Sequence, residues 1–351
     1  MKKNDYIEIL LSILAALFIG GIVIFIMGFN PLAAYGELFK GAFQGNFGFG
    51  STLAKFTPLL LTALAFHIST TVSVFNVGVE GSLYLGAMAA AWVGFGLTGV
   101  PAVIHVPLCL IAGAAAGGLW ALIPAALKVY YNVNEICTTI LLNYVAIDIT
   151  SYMVNFPLSS KSGSPQTPSI SDSASLTEFM LPSKANTGLF IAIALFVVLY
   201  WMLYHTTMGY RLRSTGANPA FSEYVGINPK REMMAGMFIS GALGGIAGAI
   251  EVMGVYGCFL DNFSNGIANN GMLVALISRG DIRIIPVMAF FLAILQSGAL
   301  GMQRYTSLDD SIISAIIALF ILFATMQGLF KLKTTFGGPK KHTGLKTGSE
   351  K

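Results

Sequence analysis

The stretch GLFIAIALFVVLYWMLYH, residues 188–205, contains no Asp, Glu, Lys or Arg. As a helix it would be about 27 Å long at ~1.5 Å per residue, close to the ~30 Å of a bilayer's hydrocarbon core. Similar apolar runs recur from Tyr6 to Phe330. Only 10% of the 351 residues are charged and 55% are hydrophobic, against roughly 25% charged in an ordinary soluble domain. With a mean hydropathy of +0.73, the chain cannot cover a soluble surface. The expected fold is all-α and polytopic in a membrane.

Ten spans are expected, at about 7–28, 53–74, 82–98, 101–127, 135–155, 188–205, 233–256, 261–278, 284–303 and 309–330. The first follows Lys2 and Lys3 as a signal peptide would, but it is long and ends without a small-residue cleavage site, so it reads as a span. Residues 30–50 lack strong periodicity and read as a connection, and the Ser- and Pro-rich stretch 157–184 separates the fifth and sixth spans. The second span ends in Ser and Thr, and the eighth carries Asp261, Asn262, Asn265, Asn269 and Asn270. Polar segments at membrane depth must face protein or water, so these two are expected to be broken or partial crossings.

With the N-terminus inside and ten crossings, fifteen Lys and Arg fall on the cytoplasmic side and five outside. That bias places both termini in the cytoplasm. The whole chain, 1–351, reads as a single transmembrane domain with a cytoplasmic segment at 206–232 and a basic, flexible tail at 331–351.

Several function classes drop out. No Gly-rich loop ends in Gly-Lys-Ser or Gly-Lys-Thr, so this chain has no P-loop. His67, His105, His205 and His342 lack metal-ligand spacing, and Cys109, Cys137 and Cys258 are too dispersed for a disulfide framework or thiolate cluster. No nucleophile elbow or acid–base carboxylate pair is present, so neither catalytic residues nor metal ligands are expected. The basic residues lie between apolar spans, a pattern set by topology, so nucleic acid is not an expected partner. Gly241, Gly245 and Gly248 form a small-residue stripe, echoed by Gly113 to Gly118. Such stripes let helices approach closely in lipid, or line a thin-walled passage.

The polar features inside the apolar pattern are more informative. Glu80 falls at a glycine-flanked break between two spans, in Phe75-Asn76-Val77-Gly78-Val79-Glu80-Gly81; structure, gating or contact with a solute are all open to it. Asn134 can cap a helix and Glu135 suits its first turn. Thr139 and Asn143, four apart, share a face, suited equally to a polar solute and to interhelical hydrogen bonds. Asp148 and Glu251 lie inside spans, Glu251 near an outer end where its charge could reach the interface. With His67 they keep open a proton- or sodium-coupled secondary carrier. In 206–232, Asn218-Pro219 starts a short helix and Gly226 can end it, leaving an apolar face that calls for docking.

Three stretches, Phe75 to Gly86, Asn134 to Tyr144 and Gly216 to Ile227, make the chain resemble the permease subunits of bacterial ATP-binding-cassette importers. The branch is that of simple sugars and nucleosides in the branched-chain amino acid and ribose permease family. The resemblance implies a non-enzymatic transport subunit in the bacterial cytoplasmic membrane that translocates a nucleoside, a purine before a pyrimidine, with ribose or a related sugar as the alternative. It implies a second permease, a different paralogue or a second copy, together with ATPase subunits and an extracytoplasmic substrate-binding lipoprotein. This chain itself would bind no cofactor; ATP and Mg would be used by the ATPase. Gly216, Asn218, Pro219, Glu223, Tyr224 and Gly226 would form the ATPase-coupling helix. Phe75, Asn76, Thr139, Asn143 and Asn269 are candidates for the solute pathway, with Glu80 and Glu135 structural or gating. Departures at Asn269-Asn270 and Arg279-Gly280-Asp281 bear on the ligand more than on the class.

Overall fold

The structure is a computed structural model and describes residues 17–26, 28–161, 163–306 and 318. The expected span 309–330, apart from residue 318, the start of the expected span 7–28, and the tail 331–351 lie outside the described residues. Residues 33–307 form one compact unit. Of the other unit, the described part contains a helical stretch, Leu17–Ile26.

The described elements are helical: α1 (Pro31–Phe43), α2 (Gly45–Thr71), α3 (Val79–Gly96), α4 (Ala102–Tyr131), α5 (Glu135–Asn155), α6 (Gly188–His205), α7 (Thr207–Ala217), α8 (Pro219–Tyr224), α9 (Pro229–Glu251), α10 (Ile267–Ile277) and α11 (Ile285–Thr306). Six helices, α2, α4, α5, α6, α9 with its extension to Tyr256, and α11, are long and apolar enough to cross a membrane. A bent pair, Leu17–Ile26 with α1, makes a seventh if it counts as one span. This is an all-α polytopic membrane protein. Residues 30–50, expected to be a connection, hold α1 and the first turns of α2. α1 buries Ala34, Leu38 and Ala42 at helical spacing, a face made largely of small residues that an apolar-run reading passes over, and it packs closely: a Cβ at Gly41 would lie 2.9 Å from the Gly301 Cα of α11.

The elements begin and end where local chemistry dictates. Asn134, Thr206, Asn218 and Asn228 cap α5, α7, α8 and α9 through their side chains, and proline occupies the first turn of α8 and α9. α9 continues as a π-helical turn, Val252–Tyr256, that ends on Gly257 at φ +71°. The polar stretch 157–184 is not a loose loop. It runs beside this end of α9, where Leu176 N–H donates to Met253 C=O (2.8 Å), Ile170 to Gly257 (2.9 Å) and Thr167 to Phe259 (3.0 Å). Those bonds satisfy carbonyls that the π turn and the helix end leave open.

The core is the crossing of α3, α4 and α9, and α2 packs against α9 as well. A Cβ at Gly245 of α9 would overlap the Gly113 carbonyl of α4, and one at Gly86 of α3 would overlap Gly245 itself. A Cβ at Gly117 would stand 2.9 Å from Gly245 Cα, and one at Gly248 would strike the Leu83 carbonyl. The small-residue stripes therefore pack backbone against backbone. α2 is 72% buried over its apolar window, whereas α5 is 17% and α6 28% buried. Gly245→Val should be destabilising by well over the ~1–3 kcal/mol of ordinary overpacking, because backbone cannot rotate away. Gly36, with open space around it, should accept Ala without change. Detergent-solubilised melting curves of the two variants check this.

Candidate functional site

Between α2 and α3 the chain breaks helix over residues 72–78 and then restarts. Val79 and Ser82 pack on Gly244, where a Cβ would meet them at 3.0 and 3.3 Å. Gly244 is fifteen residues from Pro229 in a helical run of 28, so it lies about 22 Å along a ~42 Å rod. The break therefore runs from Val72, packed on Gly236 near the start of α9, to Val79 near its middle, and its buried backbone groups need protein partners.

Side chains supply them. Asn76 is 1% exposed; its Oδ1 accepts from Gly78 N–H (3.0 Å) and its Nδ2 donates to Ser240 Oγ on α9 (2.9 Å). Asn143 on α5 accepts from Gly81 N–H (2.8 Å) and donates to Val77 C=O (2.9 Å). One amide thus ties both ends of the restart. Thr139 is fully buried, its hydroxyl donates back to Glu135 C=O (2.7 Å), and its Cβ would stand 3.1 Å from a Cβ at Gly78. Phe75 is 43% exposed and meets Phe66 edge to face at 5.8 Å.

Glu80 joins this break to a second one. It is 6% exposed, and Oε2 accepts the Ala268 N–H at 2.9 Å. The Ser264 hydroxyl and the Gly266 and Asn269 N–H groups also face the carboxylate. It therefore occupies the N-terminus of α10, where unpaired N–H groups and the helix dipole favour an anion. α10 has 11 residues, about half a crossing; the expected span 261–278 is an irregular segment followed by this half-helix. Asn269 is exposed on its first turn. Tyr84 Oη accepts from Ser264 N–H (3.3 Å) and steadies the same approach.

Glu135 pairs with Lys128 across the α4–α5 turn at 2.9 Å, and the Phe75 N–H faces its carboxylate. The segment 206–232 is bolted to the break as well. Ser73 Oγ donates to Gly216 C=O (2.7 Å), and a Cβ at Gly216 would collide with the Thr71 carbonyl. Asn218 Oδ1 caps α8 through Phe221 N–H (3.0 Å) with Pro219 at its first position, and Gly226 closes it at φ +84°. Glu223 is exposed and Tyr224 is 91% exposed.

Asn76, Thr139, Asn143, Glu80 and Glu135 thus converge on one break. Ser240, Ser264, Tyr84, Ser73 and Lys128 complete it and were not singled out from sequence. Lys128 carried a signal, an opposite charge seven residues from Glu135 across a turn; a lone serine on an apolar helix carries none. Glu251, expected to reach an interface, is 5% exposed. The segment bonded to Met253 covers that end of α9. Asp148 is exposed on α5 and His67 is buried in α2. Among the described residues no group of three or more His, Cys, Asp or Glu could hold a metal ion. A cleft of about 420 Å³ bordered by Glu37, Gln44, Phe47 and Ser297 lies among α1, α2 and α11, apart from this cluster.

Broken helices with polar groups at their mid-membrane ends recur in transporters, and comparison of the sequence gives the class. A family model described as branched-chain amino acid transport system / permease component matches residues 48–326. The chain belongs to that family and is a permease subunit of an ATP-binding-cassette importer, not an enzyme. It is 33% identical to the guanosine ABC transporter permease protein NupP of Bacillus subtilis, over 95% of this chain and 96% of that protein. It is 30% identical to the nucleoside ABC transporter permease protein NupB of Lactococcus lactis, over 94% and 93%. The glucose ABC transporter permease protein TsgB13 of Haloferax volcanii is also 30% identical, over 92% and 87%. No solved structure matches.

Replacing Glu80 by Ala leaves the buried α10 N–H groups without an acceptor, at a cost of about 2 kcal/mol or more, since hydrogen bonds to a charged group contribute ~1.5–3 kcal/mol. Glu80→Gln keeps an acceptor oxygen and should lose clearly less. Asn143→Leu orphans Gly81 N–H and Val77 C=O and should also lower the melting temperature. Thermal unfolding of the three variants, read beside uptake, checks this.

Proposed function

We propose that this permease translocates a purine nucleoside across the bacterial cytoplasmic membrane. It would take the solute from an extracytoplasmic substrate-binding lipoprotein and alternate access as partner ATPase subunits close and open on ATP and Mg. The names of two full-length relatives, one for guanosine and one for nucleosides, support this solute class. A third relative named for glucose supports ribose or a related sugar as the second reading. A different permease paralogue, or a second copy, completes the pathway. The chain makes about ten crossings with both termini cytoplasmic, a reading supported by the fifteen-to-five distribution of basic residues. Residues 1–351 form one transmembrane domain, with 206–232 its coupling segment and 331–351 a basic cytoplasmic tail. Membership of an ATP-driven family argues against the secondary carrier.

One observation carries the mechanism. α8 and its C-cap present Phe221, Tyr224 and Val225 at 55%, 91% and 48% exposure, yet the end of α7 that leads into α8 is fixed to the α2–α3 break through Ser73 and Gly216. An exposed six-residue helix is unstable alone and calls for a docking partner. Gly216, Asn218, Pro219, Glu223, Tyr224 and Gly226 are the residues we assign to ATPase coupling. Motion of a docked α8 would reach Asn76, Asn143 and, through Glu80, the half-helix α10, a two-state coupling between distant sites. Phe75 and Asn269 keep exposed faces and are pathway candidates. Asn76, Thr139 and Asn143 would act on the pathway by shaping the break.

Vesicles carrying this chain with its neighbouring subunits should take up labelled guanosine in preference to uridine and ribose, with ATP and the binding protein both required. Joint replacement Glu223→Ala and Tyr224→Ala should cut uptake by about tenfold or more, the scale of a lost ~1.4 kcal/mol of coupling, while the chain remains in the membrane. Uptake by this chain alone that collapses with a protonophore at constant ATP would overturn the proposal.

A further inference from the structure

α5 has two faces of different character. Thr139, Ala146, Thr150 and Val154 are buried, and with Asn143 they mark the side turned to the core. At 100° per residue, Asp148 lies on the opposite side, with Tyr144 one turn before it and Tyr152 one turn after. Tyr144 is 65% and Tyr152 62% exposed, and Asp148 is exposed. No described residue makes a hydrogen bond or ion pair with Asp148. Its position, thirteen residues from Glu135, is about 20 Å along a helix of ~31 Å, well inside a span. A carboxylate there does not face lipid; such groups face a water-filled path or a partner. Toward the outer end of the same side, Asp261 accepts from Ser151 (3.0 Å). That second carboxylate makes the stripe a poor surface for a phosphate.

We propose that Tyr144, Asp148 and Tyr152 form a solute-binding stripe of the translocation path and that Asp148 selects a guanine-type nucleoside. This rests on the nucleoside reading above and deepens it. A carboxylate accepts two parallel hydrogen bonds through its two oxygens. The guanine edge offers that pair, N1–H beside the N2 amino group. Adenine offers one amino donor next to an acceptor, and uracil one N–H between two carbonyls. The phenol rings stand about 6 Å along the axis on either side of Asp148, and bases stack on such rings without demanding sequence or charge. A neutral nucleoside meets all three groups, whereas a nucleotide brings phosphate charge against Asp148 and Asp261.

The test uses the full complex with Cys137→Ser, which removes the exposed native thiol. Asp148→Cys and Tyr144→Cys should each react with a membrane-impermeant trimethylammonium methanethiosulfonate, and guanosine should slow the reaction of Tyr144→Cys, which keeps the Asp148 carboxylate, severalfold while adenosine does not. Val197→Cys on the exposed face of α6 should not react. In uptake, Asp148→Asn should lower the guanosine-to-adenosine ratio by about tenfold or more, and Asp148→Glu should restore most of it. Failure of the reagent to label the Asp148→Cys variant would place the stripe against lipid or the second permease and overturn the proposal. So would labelling of Tyr144→Cys indifferent to guanosine, or an unchanged uptake ratio. Wild-type uptake of ribose without guanosine would overturn the nucleoside reading itself; guanosine uptake with an indifferent Asp148 would overturn this inference alone.

Discussion

The structure depends on how closely α4 and α9 approach. Gly113 and Gly117 face Gly241 and Gly245 with no room for a side chain between the backbones, and Gly86 brings α3 onto the same point. In lipid there is little hydrophobic drive between helices, so dispersion contact and weak polar bonds must hold them together. Both grow with close approach, and only glycine permits it here. With α3 held against the middle of α9, its first turn cannot begin at a membrane surface. The chain must climb without helix from the end of α2, beside Gly216 and Gly236, to the depth at which α3 starts.

That constraint explains the polar residues. A helix restart at mid-depth exposes N–H and C=O groups with no water to bind them. Asn76 and Asn143 answer the α2–α3 break with both ends of their amides. The restart of α10 is answered by the Glu80 carboxylate. Side chains that look like ligands for a solute are therefore first of all ligands for the protein's own backbone. They also tie three pieces together: the exposed α8 through Ser73, the break itself, and the half-helix α10. On the coupling proposed above, a chain of short contacts through the restarts would be the route for movement.

Polarity at membrane depth can be satisfied in two directions, and α5 shows both. Its threonines bond their own helix and pack inward, while its aromatic rings and Asp148 are left outside. The low burial of α5 against the high burial of α2 separates helices that make this subunit from those that present a surface. Glu251 is buried despite its place near a helix end, in the part of α9 beside which the segment 157–184 is bonded.

Much of this was legible in residue order. Span length is a one-dimensional property, so α4, α5 and α6 were expected within a few residues of where they lie. Caps are local too: Asn134, Asn218 and Pro219 announce their helices because the groups they satisfy are two or three residues away. The weakness of the segment 261–278 followed from its asparagines, and its half-helix fits that reading. What sequence could not settle was partnership across distance. A helix wheel shows that Thr139 and Asn143 share a face and that Asp148 opposes them, but in a membrane both faces are apolar enough to be either wall or core. The choice was made by α3, which the glycine contacts bring against the threonine side. Likewise nothing near Glu80 in the chain foretells Ala268, 188 residues on. Hydrophobicity and capping act within a turn and are written in order; close packing and buried hydrogen bonds join residues that only the folded chain makes neighbours.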